Sequence, residues 1–246
     1  MDAAILAIVF GAFFAAGAVK GVIGLGLPTV SLALVTLALP LQALALTVLP
    51  TLITNLWQAA VGGHLRSLLA RSWLMLLCNA IGVWAGAMVL FRVDVRLTTA
   101  ALGLVLALYA VLGLSAIRFH VAAHREPYLS PFVGAATGVI GGTTGTHVLP
   151  AVPYFQALGM EKDELLQAMG LSFSVSSVVM LIALADYGAL HRGNALVSAL
   201  GLVPALAGMA AGQKIRSFIS PEAFRTCLFV GLLLLAFHLV YKNVLA

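Results

Sequence analysis

Charged residues are scarce in this sequence. Only 9% of its 246 residues are charged, whereas 62% are hydrophobic. A soluble domain of this length would expose much of that apolar surface to water, so the composition excludes the soluble globular class. Apolar runs of about 20 residues, the length of a membrane-spanning helix, recur along the whole chain. We therefore predict an all-α polytopic membrane protein, with the lipid bilayer as its surroundings.

Acidic side chains are missing from the interior of the apolar runs. They stand at the ends of runs or in turns, namely Asp2, Asp94, Glu126, Asp186, Glu222 and the cluster at 161–164. Cation sites and most proton relays in membranes use carboxylates at membrane depth. A sodium- or metal-binding core is therefore not expected, and no cofactor is predicted.

Cysteine is also rare. Cys78 and Cys227 lie far apart in apolar runs without a C-x-x-C motif, so disulfide, redox and zinc sites lack support. His120 and His124 are spaced i, i+4 but have no third ligand and no glutamate between them. We predict no catalytic residues and no enzyme. The N-terminus lacks a basic segment, so residues 3–19 are expected to be a first span rather than a cleaved signal peptide.

Basic residues outnumber acidic ones, with 13 Lys and Arg against 8 Asp and Glu. They do not form a long basic run, so nucleic acid is not a predicted partner. Retention of lysine and arginine in cytoplasmic loops explains the excess.

Glycine and proline are concentrated in two segments. Residues 17–28 read Gly-Ala-Val-Lys-Gly-Val-Ile-Gly-Leu-Gly-Leu-Pro, and residues 134–150 contain a second Gly-Val-Ile-Gly at 138–141. Within a helix each glycine costs about 1 kcal/mol and each proline about 3 kcal/mol relative to alanine. An apolar run from 3 to 39 would also be about 55 Å long as one helix, well beyond a bilayer core of about 30 Å. Both segments are predicted to break a helix, either as a re-entrant hairpin or as two closely packed passes.

Other matches indicate that the chain contains a duplicated unit. Leu41-Gln42-Ala43 matches 166–168, the pair Gly82 and Gly86 matches Gly208 and Gly212, and Gly103 matches Gly231, with offsets that drift from 117 to 128 residues. Small-xxx-small spacing suits close helix packing. We predict a first transmembrane repeat at 1–117, a polar connector at 118–127 and a second repeat at 128–246. Each repeat is expected to hold one broken unit followed by three spans, at 41–61, 72–91 and 97–117 and then at 165–185, 194–213 and 222–241.

The distribution of basic residues distinguishes two arrangements of the halves. If each broken unit crosses the membrane once, the halves are parallel and Lys and Arg divide six to six, with Lys20 left out. If each crosses twice, the second half is inverted and one face carries eight: Arg66, Arg71, Arg118, Arg125, Lys162, Lys214, Arg216 and Arg225. Arg92, Arg96, Arg192 and Lys242 then lie on the other face. The positive-inside rule favours the inverted repeat, with both termini outside.

The side chains near the two breaks suit an anion. Half-helix N-termini offer free N–H groups and a positive dipole end, and glycine lets the backbone approach a ligand closely. The candidate substrate-binding residues are Lys20, Gly21, Gly24, Gly26, Asn55, Gln58, Gly141, Gly142, Thr143, Thr144, Gly145, Thr146 and His147.

Each of these side chains also has a purely structural interpretation. Lys20, matched to Thr137 in the alignment of the two Gly-Val-Ile-Gly segments, could extend to a membrane interface. The threonines could cap freed backbone groups, and His147 could bond a nearby carbonyl. Asn55 and Gln58 could link helices, as could the serines at 172, 174, 176 and 177.

The arrangement of glycine-rich breaks and late Gly-xxx-Gly helices in two halves resembles the sulfite exporter TauE/SafE family, also called the toluene sulfonate uptake permease superfamily, over residues 5–243. Gly-Leu-Gly-Leu-Pro at 24–28 replaces the family's commoner run of consecutive glycines. The resemblance implies a multi-pass transporter of the bacterial plasma membrane that moves sulfite, sulfonate or sulfoacetate-type anions. Taken with the breaks, it predicts a secondary transporter working by alternating access. An anion channel and a non-transporting membrane scaffold are the alternatives. The anion, its direction, a coupling proton and a homo-oligomeric partner are left open.

Overall fold

The structure is a computed structural model that describes residues 3–115, 119–216, 218 and 220–245, without the side chains of Pro221 and Leu245. Asp2, Arg118, the predicted helix end at Ile117 and the boundary between 117 and 118 lie outside these residues. All regular secondary structure in the described ranges is helical.

Eleven α-helices are found in the described ranges. They are α1 (Ala3–Ile23), α2 (Leu27–Ala38), α3 (Ala43–Ala60), α4 (Leu65–Leu90), α5 (Val95–Leu114), α6 (Glu126–Thr144), α7 (Ala151–Ala157), α8 (Lys162–Asp186), α9 (Arg192–Leu200), α10 (Leu202–Ile215) and α11 (Pro221–Val240). A 3-10 turn at Ala123–Arg125 precedes α6, and a π-helical turn at Tyr241–Leu245 follows α11.

Among the described residues, seven helical segments are long and apolar enough to cross a membrane: Ala3–Ile23, Ala43–Ala60, Leu65–Leu90, Val95–Leu114, Lys162–Asp186, Arg192–Ile215 and Glu222–Val244. Large apolar side chains cover their outer surfaces, including Trp57, Trp73 and Phe237, which are 71%, 60% and 72% exposed. An apolar surface of this extent is unfavourable in water and is expected against lipid. The prediction of an all-helical, multi-span membrane protein is confirmed.

Several predicted helix boundaries need correction. α4 begins at Leu65 rather than near 72, so Arg66 and Arg71 lie in its first turns instead of between the predicted spans at 41–61 and 72–91. α8 begins at Lys162 rather than 165, with Asp163 and Glu164 in its first turn, where carboxylates interact favourably with the helix dipole. The span predicted at 194–213 is divided at Gly201 into α9 and α10. Charged residues within the terminal turns do not end a helix, because their side chains reach solvent while the backbone stays bonded.

The chain forms two compact units, and each takes segments from both halves of the sequence. The first unit contains Met1–Pro50, Asp94–Ala116 and Gly188–Ala246. In it α1 packs against α10 and α2, and α5 packs against α11. The Arg225 guanidinium donates to the carbonyl of Gly113 at 2.8 Å, which joins α11 to α5.

The second unit contains Thr51–Val93 and Ile117–Tyr187, with α4 packed against α6 and α8. Arg71 joins the first turns of these helices, because it contacts Glu126 Oε1 at 2.6 Å and Glu164 Oε1 at 3.4 Å. Just past the far ends of α4 and α8, the rings of Phe91 and Tyr187 stack at 4.3 Å. The two helices therefore run side by side in the same direction.

The start of α6 and the end of α7 lie close together. The N–H of Val121, shortly before α6, donates to the carbonyl of Ala157 at the end of α7, at 2.9 Å. The hydroxyl of Tyr154 in α7 also lies 3.5 Å from the carbonyl oxygen of Glu126, the first residue of α6. The start of α6 and the end of α7 thus lie at the same end of the second unit.

Candidate functional site

Helix α1 ends in the first glycine-rich segment. Gly24 has φ of 81°, a conformation that favours glycine, and its N–H donates to the carbonyl of Lys20 at 2.8 Å. Gly26 has φ of 100° and precedes the first residue of α2. Its carbonyl accepts from the N–H of Val30 at 2.8 Å. The chain therefore leaves helical geometry at residues 24–26 and resumes it at Leu27.

Helix α6 ends in the second segment with the same geometry. Gly145 also has φ of 81°, and its N–H donates to the carbonyl of Gly141 at 2.6 Å. Gly24 and Gly145 are therefore equivalent, 121 positions apart, although the two Gly-Val-Ile-Gly segments are 117 apart. The difference is about one helical turn, so the counterpart of Lys20 is Gly141. The match to Thr137 was wrong.

The packing of the glycines follows the same offset. A side chain on Gly17 would meet the carbonyl of Ala205, and one on Gly138 would meet the carbonyl of Asn79. In each unit the broken helix of one half therefore packs on the Gly-xxx-Gly helix of the other half, with backbones in direct contact. Sequence spacing predicted close packing for Gly82 with Gly86 and for Gly208 with Gly212, but not which residues they pack against.

Lys20 lies in the last turn of α1 and is 5% exposed. Its side chain is enclosed by protein instead of lying along an outer surface, which disfavours the interpretation of a lysine that extends to a membrane interface. Gly21, the next residue, packs on α10 against Gly212. Lys20, Gly21, Gly24 and Gly26 all belong to the first unit.

The candidate threonines of the second segment are engaged with backbone. The hydroxyl of Thr143 donates to the carbonyl of Val139 at 2.9 Å, and that of Thr144 donates to the carbonyl of Ile140 at 2.7 Å. These are i to i−4 bonds within the last turns of α6, so both hydroxyls bond to their own helix rather than to freed backbone groups. Thr146 is fully buried, and its N–H lies 3.4 Å from Thr144 Oγ1.

His147 packs against the glycine that corresponds to Lys20. A Cβ atom at Gly141 would overlap the imidazole ring, so the ring occupies the space above a bare backbone. Its Nε2 atom is buried and has no hydrogen-bond partner in the described part of the chain. A bond to a nearby carbonyl, the structural alternative for His147, is therefore not made by this nitrogen.

Gln58 lies away from His147. Its amide donates to the carbonyl of Leu166 in the second turn of α8 at 2.7 Å, and Gln167 returns a bond to the carbonyl of Ala59 at 2.7 Å. Arg71 joins this end of α8 to the start of α6. Gly141 lies about 22 Å farther along α6 at 1.5 Å per residue. Gln58 therefore links α3 to α8, and its part in substrate binding stays a prediction. Asn55, 1% exposed, belongs to the same unit.

Three buried residues of the second unit were not among the predicted site residues. Asn79 Oδ1, Thr137 Oγ1 and Ser172 Oγ are buried and have no hydrogen-bond partner among the described residues. Asn79 lies in an otherwise apolar stretch of α4, and a lone asparagine in a membrane span is the signal that could have identified it.

The chain matches the family model described as Sulfite exporter TauE/SafE over residues 9–239, and it belongs to this family. The prediction made from the glycine pattern is confirmed. Searches of curated proteins and of solved structures return no significant match.

Proposed function

We propose that this TauE/SafE family member is a secondary transporter of small sulfur-containing or organic oxyanions in the bacterial plasma membrane. The observation that carries the proposal is the repeated helix end at Gly24 and Gly145, each with φ of 81° and the same backbone bond. Breaks of this kind at corresponding positions of two halves are a feature of transporter binding sites. The family match supports transport of a sulfur oxyanion such as sulfite.

Each break would offer different groups to an anion. In the first unit, the buried Lys20 ammonium provides positive charge, and the N-terminus of α2 at Leu27 directs the positive end of its dipole toward the break. In the second unit, His147 Nε2 is a hydrogen-bond donor or acceptor without a partner among the described residues. Thr146 adjoins it in sequence and Thr144 lies three residues before it. With Asn55, these threonines would orient the ligand.

We further propose an inverted repeat in which each broken unit crosses twice. The bond between Val121 and Ala157 supports this, because it brings the end of α7 back to the start of α6. The face with eight lysines and arginines would then be cytoplasmic. The membrane potential would drive export of a monoanion with about 2.3 kcal/mol per 100 mV, which is enough to maintain about a fiftyfold concentration gradient.

The test is flux in proteoliposomes with sulfite, sulfoacetate, thiosulfate, a carboxylate and chloride at two imposed membrane potentials. We expect saturable, potential-dependent movement of a sulfur oxyanion that also shows counterflow. Lys20→Ala should reduce the rate at least about tenfold, and Lys20→Arg should retain part of it because the charge is kept. Lys242→Ala is the matched control, since that lysine is exposed near the C-terminus.

Two results would contradict the proposal. Flux without counterflow or saturation would indicate a channel. No flux of any anion by folded protein would indicate a scaffold.

A further inference from the structure

The second unit contains a set of buried polar atoms that its own packing does not use. Asn79, Thr137 and Ser172 are each 0% exposed, and their Oδ1, Oγ1 and Oγ atoms have no hydrogen-bond partner in the described part of the chain. Most buried polar atoms in folded proteins are hydrogen-bonded, so three exceptions in one unit require an explanation. A bound polar molecule would provide the missing partners.

Hydrogen bonds and a backbone contact connect these residues through three packed helices. Asn79 of α4 donates from Nδ2 to Ser172 O at 3.2 Å and to Ser176 Oγ at 2.8 Å, both in α8. The carbonyl of Asn79 contacts Gly138 of α6, the residue after Thr137. Asn79 therefore lies between the helices that carry the other two residues. It is about 21 Å from the start of α4, a helix about 39 Å long, and so near its middle.

The bonds of Asn79 determine which chemistry it offers. Its two amide hydrogens are used by Ser172 and Ser176, and a flipped amide would place two acceptors, Oδ1 and the Ser172 carbonyl oxygen, against each other. Oδ1 is therefore left as an acceptor that needs a donor. The hydroxyls of Thr137 and Ser172 can each donate to an anion oxygen, while an anion without a hydrogen would leave Oδ1 unpaired.

Comparison with the first unit shows that packing alone does not require these groups. Ala205 is the equivalent of Asn79, because its carbonyl meets Gly17 as that of Asn79 meets Gly138. By the same offset Ala16 is the equivalent of Thr137. The same glycine contacts thus form in one unit with alanines and in the other with an amide and a hydroxyl.

We propose that Asn79, Thr137 and Ser172 bind an anion that carries a hydroxyl group, such as a hydroxysulfonate, with the hydroxyl donating to Asn79 Oδ1. The anion's oxygens accept hydrogen bonds from the hydroxyls of Thr137 and Ser172. A fourth group is His147 Nε2, because the His147 ring packs on Gly141, which lies one turn farther along α6 on the same side of that helix as Thr137. A ligand with a cationic hydrogen-bond donor is less suited to this site. The acidic residues of α6 and α8 lie only in the first turns of these helices or at Asp186, the last residue of α8. This proposal rests on the proposed function for its anion class.

The test compares two sulfonates of equal charge and similar size at one pH. Purified protein in detergent is heated with 2-hydroxyethanesulfonate or ethanesulfonate at the same concentration. A ligand that binds the native state raises Tm, and a site that bonds a substrate hydroxyl strongly rejects the analogue without it. We expect the hydroxylated compound to raise Tm and to bind at least about tenfold more tightly.

Matched variants assign the effect to the three residues. Thr137→Val, Ser172→Ala and Asn79→Leu should each abolish the Tm rise. Thr47→Val and Ser174→Ala should keep it, because those buried hydroxyls already donate within their own helices to Ala43 and Gly170, at 2.8 Å and 2.7 Å. Thr137→Val and Ser172→Ala change little volume, so they remain informative if Asn79→Leu does not fold.

Equal shifts with the two sulfonates, or no shift with either, would overturn the proposal. So would a selective shift that persists in Thr137→Val and Ser172→Ala. Flux of both sulfonates in proteoliposomes is measured separately. Selective binding without any flux would support this site and contradict only the proposed transport function. Flux without selective binding would support the transport function and contradict only this site.

Discussion

The imidazole of His147 lies directly against the backbone of Gly141, in the segment where α6 ends. The contact depends on the absence of a side chain at 141, because a Cβ atom there would overlap the ring. The same helical position in the first unit carries Lys20. One break thus has a long cationic side chain on the helix, and the other has a ring placed over a glycine.

Gly141→Ala should displace His147 and impair transport. We expect a loss of at least about 1 kcal/mol in unfolding free energy, since the ring must leave its position and overpacking typically costs 1–3 kcal/mol. Thermal unfolding in detergent and sulfite flux would both be measured. Gly11→Ala is the control, because no described residue lies within 4 Å of a Cβ at that helical position. An unchanged Tm and flux in Gly141→Ala would show that the ring has room to move.

Gly86→Ala should destabilise the second unit by about 1–3 kcal/mol. Its Cβ would lie 2.8 Å from the Cα of Gly142 and 2.9 Å from the N of Thr143, and backbone atoms cannot move aside as a flexible side chain can. Gly231→Ala in α11 has open space and should be neutral or stabilising by up to about 1 kcal/mol. The measurement is Tm of the two variants and wild type. Equal Tm values for both variants would contradict direct backbone packing of α4 on α6.

The inverted repeat makes a prediction about cysteine labelling in intact cells. In a background with Cys78 and Cys227 replaced by alanine, single cysteines would be placed at Val93, His124 and Met160. If α6 and α7 together return to the same side, positions 124 and 160 are both cytoplasmic and resist an impermeant thiol reagent, whereas position 93 reacts.

A single crossing of the α6–α7 unit gives a different pattern. The cysteine at position 160 would then react in the same way as the one at position 93, and the cysteine at position 124 would differ from both. That result would favour parallel halves and remove the positive-inside support for the inverted repeat. As a control, labelling is repeated after the membrane is permeabilised, when all three cysteines should react.

Much of the fold followed from the order of residues. Apolar runs predicted the long helices, and the glycines at 24, 26 and 145 lie where the chain has positive φ, a conformation that only glycine adopts easily. Boundaries at charged residues were less accurate. Arg71 lies inside α4, where its side chain pairs with Glu126 and Glu164, which are far away in sequence.

The candidate site was predictable only in part. The segment at 141–147 was identified, but the hydroxyls of Thr143 and Thr144 bond to their own helix. Asn79 and Ser172 are 93 residues apart and meet through a bond between α4 and α8. A pattern read along one helix cannot show which residue of another helix completes its hydrogen bonds.

By itself the sequence determined the class of this protein. Apolar length and the near absence of acids in the spans require a helical membrane protein, because backbone groups in lipid must be bonded within helices. Local chemistry also set the positions of the breaks, since glycine and proline change the backbone conformation of the helical turn in which they lie. Only tertiary structure decided which glycines are equivalent, which helices they pack on, and which buried polar atoms have no partner within the described ranges. Those outcomes depend on contacts between residues far apart in the chain, and one helical turn of register is enough to change them.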